Sequence, residues 1–354
     1  MKAAVLKEFG RPLSVEEVAE PMPGTGEVVV DVVAAPVLHY TAEVVSGARR
    51  YLLGLPAILG AGAVGRVRSA GPDATKLRPG DWVRCDPAVR SRDDAVTPDV
   101  VLQGLTARGD GGLALQRHFR NGGFAERIMV PTENAAPLGE IDEADAGRWA
   151  ALGICLVPYG GLLDGGLQPG ETVLVSGATG TYGGAAVAVA LAMGAGRVIA
   201  PGRNRAALAD LEQRFGRRVR TVVSGGSEDE DRAAMLSVAG PVDLVLDLLP
   251  PSASAAAARA AAMSVREFGR VVLMGGVGED IALPYPWLML NSVTVRGRWM
   301  YPRDAVPKLI ALARCGLLDL AQFEVDEFAL SAVGEAVQHA AEAGGRFRLT
   351  VVRP

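Results

Sequence analysis

The chain has 354 residues, of which 49% are hydrophobic and 21% are charged, and it carries a net charge of −4. This composition is ordinary for a globular α/β protein of about two domains, and the negative charge argues against nucleic acid or an anionic membrane as the main partner. The cysteines Cys85, Cys155 and Cys315 are too widely spaced for a disulfide framework or a Cys-x-x-Cys metal lobe, so a reducing cytoplasm is the expected location.

Residues 1–130 contain short strand signals separated by glycine and proline, which predicts a β-rich half. The N-terminal residues 1–7 are too short in their apolar part for a signal peptide and are predicted to be the first strand. Further strands are expected at 27–33, 62–69, 81–85 and 124–130. The segment 89–122 is charged and irregular, so we predict a long surface excursion or lobe there.

From Thr172 onward, strand and helix signals alternate, and this pattern predicts a doubly wound parallel sheet. The strands are expected at 172–176, 197–200, 220–223, 243–247 and 270–274, and the helices at 183–194, 204–215, 229–239 and 253–267. The rest of the chain predicts a strand at 291–300, helices at 305–315 and 331–341, and a closing strand at 347–352.

The glycine turn after the first of these strands predicts a dinucleotide site. An apolar strand ends in Gly177, Gly180 and Gly183, and an alanine-rich helix follows. Gly180 would let the backbone approach a pyrophosphate, Gly183 would let the helix pack closely on the strand, and the helix N–H groups would face the anion. The pattern is Ala178-x-Gly180-x-x-Gly183, with alanine in place of the usual first glycine. A purely structural tight turn is the alternative.

The end of the second strand indicates which dinucleotide is bound. An NAD site usually has Asp or Glu at this place to hold the ribose 2′-hydroxyl. Here the place is taken by Gly202, with Arg203 and Arg205 beside it. A guanidinium can bind a 2′-phosphate bidentately, so we predict NADP(H) rather than NAD(H). The alternative is that both arginines are ordinary solvated charges at a helix start.

Several short motifs in a characteristic order give the chain a family resemblance. They are Met1-Lys-Ala-Ala-Val5, Gly26-Glu-Val-Val-Val30, Leu59-Gly-Ala-Gly-Ala-Val-Gly65, Gly80-Asp-Trp-Val83, Gly122-Gly-Phe-Ala-Glu126 and Gly269-Arg-Val-Val-Leu-Met-Gly275. Over nearly its whole length the chain resembles the medium-chain dehydrogenase/reductase superfamily. The resemblance implies an α/β fold with a GroES-like β-rich catalytic domain (1–149 and 303–354) and a Rossmann cofactor domain (150–302). It also implies a cleft between the domains and hydride transfer at the nicotinamide.

The chain departs from the zinc-dependent members of that superfamily. Their three catalytic ligand places correspond to Leu38, Ala61-Gly62 and Gly153, whose side chains cannot bind a metal, and residues 90–115 lack the four cysteines of the structural zinc lobe. The sequence therefore resembles the zinc-independent quinone oxidoreductase and enone reductase branch. An unrelated metal site through His39 and a carboxylate is the alternative.

The resemblance also indicates site residues. The catalytic candidates are Tyr51, His39, Tyr40 and Thr41, which lie in or near the loop that would have carried the first zinc ligand; each could equally be structural. The cofactor candidates are Gly177, Ala178, Thr179, Gly180, Thr181, Tyr182, Gly183, Gly202, Arg203, Asn204, Arg205, Gly275, Gly276, Val277, Trp299 and Met300. Asp243 and Asp247 are expected to have a structural role at a turn.

Three functions remain open from the sequence. The first is an NADPH-dependent reductase of an activated alkene or quinone with a small apolar substrate, because the charge then falls on a delocalised enolate that needs no zinc. The second is a zinc-free carbonyl reductase or alcohol dehydrogenase of the same fold. The third is an NADP(H)-binding protein without catalysis. The apolar strand at 293–300, of a kind that the family commonly pairs, predicts a homodimer.

Overall fold

The computed structural model describes all 354 residues, and they form two compact units. Unit 1 comprises Met1–Gly153, Leu320–Gly344 and Arg348–Pro354, and unit 2 comprises Ile154–Asp319 and Gly345–Phe347. The sequence-based division placed 303–319 with the first unit, whereas the structure places these residues with the second. The helix over Ala305–Arg314 accounts for the difference, because it belongs to unit 2.

The elements of unit 1 are mostly short strands. In chain order they are β1 (Lys2–Leu6), β2 (Ser14–Glu17), β3 (Glu27–Val37), α1 (Thr41–Ser46), β4 (Ala57–Ile58), β5 (Ala63–Ala70), β6 (Trp82–Cys85), β7 (Ala88–Arg90), β8 (Val100–Leu102), β9 (Thr106–Ala107), α2 (Gly109–Gln116), β10 (Arg127–Pro131), β11 (Ala135–Pro137) and α3 (Ala146–Ala150).

The helix α4 (Leu152–Asp164) carries the boundary between the units, and the remaining elements follow it. They are β12 (Thr172–Ser176), α5 (Thr181–Ala192), β13 (Arg197–Gly202), α6 (Arg205–Phe215), β14 (Val219–Val223), α7 (Glu228–Ala239), β15 (Val242–Asp247), α8 (Ala255–Ala262), β16 (Val265–Leu273), α9 (Tyr285–Leu290), β17 (Thr294–Gly297), α10 (Ala305–Arg314), β18 (Glu324–Ala329), α11 (Val333–Ala343) and β19 (Arg348–Arg353).

Unit 1 is organised around the long strand β3. Antiparallel neighbours β5, β10 and β19 pair with it in a seven-stranded sheet of order β11-β6-β5-β3-β19-β18, with β10 also on β3. Both edges of β3 are therefore paired, and its valines at 28, 29 and 30 are almost fully buried. Two three-stranded sheets, β2-β1-β4 and β7-β8-β9, complete the unit.

Unit 2 contains the predicted parallel sheet, with strand order β14-β13-β12-β15-β16-β17. Its central strands β12 and β15 are continuous apolar runs, and residues 173–175 and 244–246 have no exposed surface. Such runs are typical of parallel strands that are covered by helices on both faces. This confirms the predicted Rossmann-type fold and, with the β-rich unit 1, the predicted α/β class.

Three predicted elements were wrong in detail. Residues 89–122 form a lobe, one of the two predicted alternatives, but this lobe is not irregular, because β7–β9 and α2 fold there around Val89, Val101 and Phe119. The helix expected over 253–267 ends at Ala262, since Val265 pairs with Val242 of β15. The strand expected over 291–300 is only Thr294–Gly297, and it follows a helix, α9, that the sequence did not predict.

One long helical stretch, Glu143–Asp164, is notably apolar. Glu143–Asp164 is long and apolar enough to cross a membrane, and 72% of its most apolar window is buried inside the protein. A buried core helix of a globular protein has the same two properties.

Candidate active site

The glycine turn of unit 2 adopts the geometry that a pyrophosphate site requires. Gly177 follows β12 with a positive φ of 86°, and the Gly180 N–H donates to its carbonyl oxygen at 3.0 Å. A Cβ at Gly183 would lie only 1.9 Å from that same oxygen, so no larger residue fits there. Gly180 caps α5, which starts at Thr181. The turn therefore brings the free N–H groups of a helix start to the carboxyl end of the sheet.

The loops that follow the neighbouring strands meet this turn. The Leu248 N–H donates to Ser176 at 2.9 Å after β15, and the Gly276 N–H donates to Leu249 at 2.8 Å after β16. A Cβ on Gly202, at the end of β13, would lie 2.6 Å from the methyl group of Thr179. Most of the predicted cofactor residues, from Gly177 to Gly183, at Gly202 and at Gly275–Val277, are thus gathered at one edge of the sheet. Ligands of doubly wound sheets bind at such an edge.

Gly202, at the end of β13, stands where an NAD site has a ribose-binding carboxylate, and the structure has no room for a side chain there. Thr179 fills the space that a side chain at Gly202 would occupy. Asn204 caps α6 by accepting the Ala207 N–H at 3.0 Å, so its oxygen is engaged. Arg203 and Arg205 are exposed, and neither forms an ion pair. Two free guanidinium groups therefore flank the turn.

Trp299 and Met300 follow β17, which is the neighbour of β16 in the sheet. The Arg298 N–H donates to Leu273 at 3.0 Å, which holds this segment beside the strand that leads to Gly275. Trp299 is 44% exposed, whereas Tyr301, two residues later, is buried. The segment thus has an exposed aromatic ring on the predicted cofactor side of the sheet.

Asp247 is a functional candidate that the sequence indicated only as a turn residue. Its carboxyl lies at the end of β15, is 3% exposed, and has one oxygen, Oδ1, without a partner. Burial raises the pKa of Asp247 to about 6, against hydrogen bonds from Ser176 and from the Leu249 N–H that favour the charged form. Since Ser176 ends β12 and Leu249 lies in the loop after β15, this carboxyl ties the end of β12 to that loop.

Unit 1 contains a small, mostly apolar pocket where the resemblance places the first two zinc ligands. Leu38, Ala61 and the hydroxyl-bearing residue Thr41 all line it. Its other lining residues are Pro36, Val44, Leu59, Gly60, Gly104, Leu105 and Phe124. No group of three or more His, Cys, Asp or Glu side chains in the chain could hold a metal ion. The donor set of a catalytic zinc is therefore missing from this pocket.

The other catalytic candidates form a cluster beside α1 rather than in the lining of the pocket. Tyr40 is 8% exposed, and the Arg49 guanidinium lies 3.9 Å above the centre of its ring. The rings of Tyr40 and Tyr51 meet edge to face, with their centres 6.4 Å apart. Tyr40 thus serves as a buried platform for the cluster, which is a packing role, whereas Tyr51 is only half-buried.

Arg49 is the residue of this cluster that the sequence analysis missed. Its Nε donates to the Tyr51 hydroxyl at 2.8 Å, and its Nη1 donates to Glu43 at 3.1 Å. Burial opposes the charge of Arg49, but the hydrogen bond to Tyr51 and the nearby charges raise its pKa. Because the guanidinium occupies a lone pair of the Tyr51 oxygen, the phenolic proton is free to be donated elsewhere. The adjacent Arg49-Arg-Tyr51 in the sequence was the available signal.

His39 is less suited to proton donation than the sequence suggested. The residue keeps exposed surface, but desolvation by the surrounding residues and then the charge of Arg49 lower the pKa of His39 below its usual value. A histidine with a lowered pKa holds less proton at neutral pH. Among the four candidates, Thr41 in the pocket and Tyr51 beside Arg49 have the most suitable placement.

Comparisons with known proteins agree with this architecture. Residues 24–140 match the family model described as the alcohol dehydrogenase GroES-like domain, and residues 182–314 match the one described as zinc-binding dehydrogenase. An alcohol dehydrogenase of Rhizobium meliloti (strain 1021) is 29% identical over 320 residues, covering 88% of each chain, and one of Moraxella sp. (strain TAE123) is 28% identical, covering 89% of each. The thermostable alcohol dehydrogenase of Pyrobaculum aerophilum is 26% identical, with a TM-score of 0.76 and 100% and 99% of the two chains covered.

A GroES-like unit together with a parallel-sheet unit that carries a glycine turn defines a two-domain dehydrogenase that uses a nicotinamide dinucleotide. The chain belongs to the medium-chain dehydrogenase/reductase superfamily, as an oxidoreductase of the alcohol dehydrogenase type.

Proposed function

We propose that this protein is a zinc-independent, NADPH-dependent reductase of a small activated alkene or quinone. The observation that carries the proposal is the pocket in which Leu38 and Ala61 stand at two places where zinc-dependent members have metal ligands. Reduction of a simple ketone develops a localised alkoxide, which a metal stabilises by several kcal/mol. Reduction of an activated alkene delocalises the charge over an enolate, for which hydrogen-bond donors and proximity suffice.

The chain's own residues supply the two remaining requirements of that reaction. Thr41, the hydroxyl-bearing residue of the pocket, would donate a hydrogen bond to the substrate carbonyl oxygen. Tyr51 would deliver the proton, since Arg49 engages its oxygen at 2.8 Å and would stabilise the phenolate that remains. A bound NADPH would supply the hydride for the β-carbon. The apolar lining of the pocket fits a substrate with an apolar body.

The preference for NADPH is supported by the free cations at the end of β13. Arg203 and Arg205 are exposed and unpaired, and Thr179 closes the space that a ribose-binding carboxylate would need. A charge-assisted hydrogen bond is worth roughly 1.5–3 kcal/mol, which corresponds to about 10- to 100-fold in affinity. Arg203→Ala and Arg205→Ala should therefore raise the KM for NADPH by about that factor and leave the KM for NADH nearly unchanged. Arg217→Ala, another exposed arginine of unit 2, is the matched control.

The reaction is tested with purified protein whose metal content has been measured, by NADPH oxidation against quinones, enones, ketones and aldehydes, with NADH as the paired cofactor. Turnover of enones or quinones by metal-free protein is expected. Tyr51→Phe should lower kcat about 10²-fold or more, the usual contribution of a general acid. A stoichiometric zinc that is required for activity would exclude the proposal.

A second candidate is a zinc-free carbonyl reductase, and it is favoured by the relatives just described, which are named alcohol dehydrogenases. Turnover limited to ketones and aldehydes would select it. Binding of NADPH without turnover of any class would instead support a non-catalytic role.

A further inference from the structure

Unit 1 buries an arginine that has no partner. Arg84 lies on β6, is 1% exposed, and ranks among the largest fully buried side chains. Its Nε and Nη1 atoms make no hydrogen bond, and it forms none of the ion pairs of the chain. Its neighbours across the sheet are Val64 and Ala136, which are apolar. A guanidinium keeps its charge in proteins, and two of its nitrogens are buried without an acceptor, which is unfavourable.

The guanidinium lies over Gly153, the place that corresponds to the third zinc ligand. A Cβ on Gly153 would be 3.3 Å from Nη2 and 3.8 Å from Cζ. Where zinc-dependent relatives have a cysteine thiolate, this chain therefore has Gly153, which has no side chain, next to the Arg84 guanidinium. The positive charge would repel a metal ion and attract an anion at the same place.

Cys85, the next residue, does not neutralise Arg84. Burial raises the pKa of the Cys85 thiol to about 12, even though Arg84 acts in the opposite direction, so the thiol stays neutral. The carboxyl of Asp86 accepts the Ala88 N–H at 3.4 Å. The Nε and Nη1 atoms of Arg84 are therefore left to an acceptor from outside the chain.

The position of Arg84 connects it with the substrate pocket. β6 pairs antiparallel with β5, and Ala63 is opposite Cys85. Ala61, two residues before Ala63, lines the pocket. The end of β6 that carries Arg84 is thus the end next to the pocket.

We propose that Arg84 binds the carboxylate of an anionic substrate, taking the place of the metal in holding the substrate. A carboxylate and a guanidinium can form two parallel hydrogen bonds, which fix the orientation of the bound molecule. The substrate is then a small molecule with an apolar body, an activated double bond and a carboxylate end. The assignment of an activated double bond to the substrate rests on the proposed function, whereas the assignment of a carboxylate does not.

The first test measures binding of levulinate, a saturated keto acid, and of its neutral methyl ester, by calorimetry in the presence of saturating NADP⁺. No hydride is available under these conditions, so binding is separated from turnover. Levulinate should bind the wild type at least tenfold more tightly than it binds Arg84→Met, and the ester should bind both equally. Arg68→Met, an exposed arginine of β5, should bind levulinate like the wild type.

Two further measurements guard against a merely structural role. Without ligand, Arg84→Met should melt at the same or a higher temperature than the wild type, because it removes an unpaired buried charge. If Arg84→Met does not fold, Arg84→Lys takes its place in the test. Lysine keeps the positive charge but lacks the two parallel N–H donors of the guanidinium, so this variant should bind levulinate at least tenfold more weakly than the wild type. Equal levulinate affinity in the wild type and either folded variant would overturn the proposal. Sulfate binding as tight as levulinate at equal ionic strength would overturn the substrate assignment.

Turnover distinguishes this proposal from the proposed function. The wild type should reduce 4-oxopent-2-enoate with at least tenfold higher kcat/KM than its methyl ester, and Arg84→Met should lose this preference. Tight levulinate binding without reduction of either enone would leave the carboxylate site in place and refute the proposed reaction.

Discussion

The buried carboxyl of Asp247 should weaken the fold at neutral pH, and Asp247→Asn should remove that weakness. The asparagine has nearly the same shape and retains an oxygen that can accept the hydrogen bonds from Ser176 and Leu249, but it cannot ionise. The carboxyl is 3% exposed, and its Oδ1 has no partner, so a negative charge there is poorly compensated.

The sign and size of the effect follow from the raised pKa. Below pH 4 the carboxyl is protonated in the folded and the unfolded chain and contributes nothing. As the pH rises from about 4 to about 6, the unfolded chain ionises while the folded chain retains its proton, so stability is lost. A rise of the pKa from 3.8 to about 6 corresponds to about 3 kcal/mol above pH 6. Asp247→Asn should therefore match the wild type near pH 4 and be more stable at pH 8.

Thermal unfolding of both proteins between pH 4 and pH 8 measures this difference directly. Asp243→Asn is the matched control, because it lies on the same strand and has the opposite shift. Burial of Asp243 opposes ionisation, but hydrogen bonds from the Thr172 N–H and Arg266 outweigh it and lower the pKa. Its contribution is present at neutral pH and lost in acid, so Asp243→Asn should destabilise at pH 7. A difference between Asp247→Asn and the wild type that does not vary with pH would refute the reasoning.

Three other predictions concern the cofactor turn, the metal and the assembly. Gly183→Ala should abolish NADPH binding or folding, because its Cβ would lie 1.9 Å from the Gly177 oxygen, whereas Gly334→Ala on α11 has open space and should be neutral; isothermal titration and melting curves report both. Dialysis against a chelator should leave turnover unchanged, and recovery of lost activity by added zinc would contradict the zinc-independent mechanism. β17 is an exposed edge strand with Met289 and Leu290 nearby, so we expect a homodimer that Val295→Arg converts to a monomer in light scattering.

The strands and the glycine turn of unit 2 were predictable because their local sequence patterns agree with their buried positions in the fold. The runs at 173–175 and 244–246 are apolar throughout and fully buried, as expected for parallel strands with helices on both faces. The glycine spacing of the turn likewise encodes its geometry, since Gly183 has no space for a side chain. At these positions the local pattern and the tertiary structure impose the same requirement.

The elements that were mispredicted depend on distant partners. The strands β7–β9 have only two or three residues each, and they exist because they pair with one another and pack around Phe119. The alanine-rich run of α8 continues as a helix pattern beyond its true end, but Val265 is drawn into the sheet beside Val242. Short strands and helix ends are where tertiary pairing overrides local propensity.

The residues of the candidate site that were missed share one property, which is that their chemistry arises from burial. Arg84 and Asp247 are charged residues within or at the end of strands, and in a sequence such residues are most simply interpreted as solvent-facing. Only the folded chain shows that Arg84 lies against Gly153 and that the Asp247 carboxyl is almost fully buried.

The residues at the three places that correspond to zinc ligands in zinc-dependent relatives are best understood together. Loss of a single ligand would leave a weakened metal site, with the remaining ligands still directed at a common point. Here Leu38 and Ala61 give the pocket an apolar wall, and the third place is a glycine that leaves room for a guanidinium. An arginine charge is fixed and needs no deprotonated ligands, whereas zinc needs thiolate or neutral imidazole and therefore depends on pH. Such a site can hold an anionic substrate over a wide pH range, although it cannot polarise a carbonyl as strongly as a metal does. A reaction whose charge is delocalised, such as alkene reduction, suits these properties.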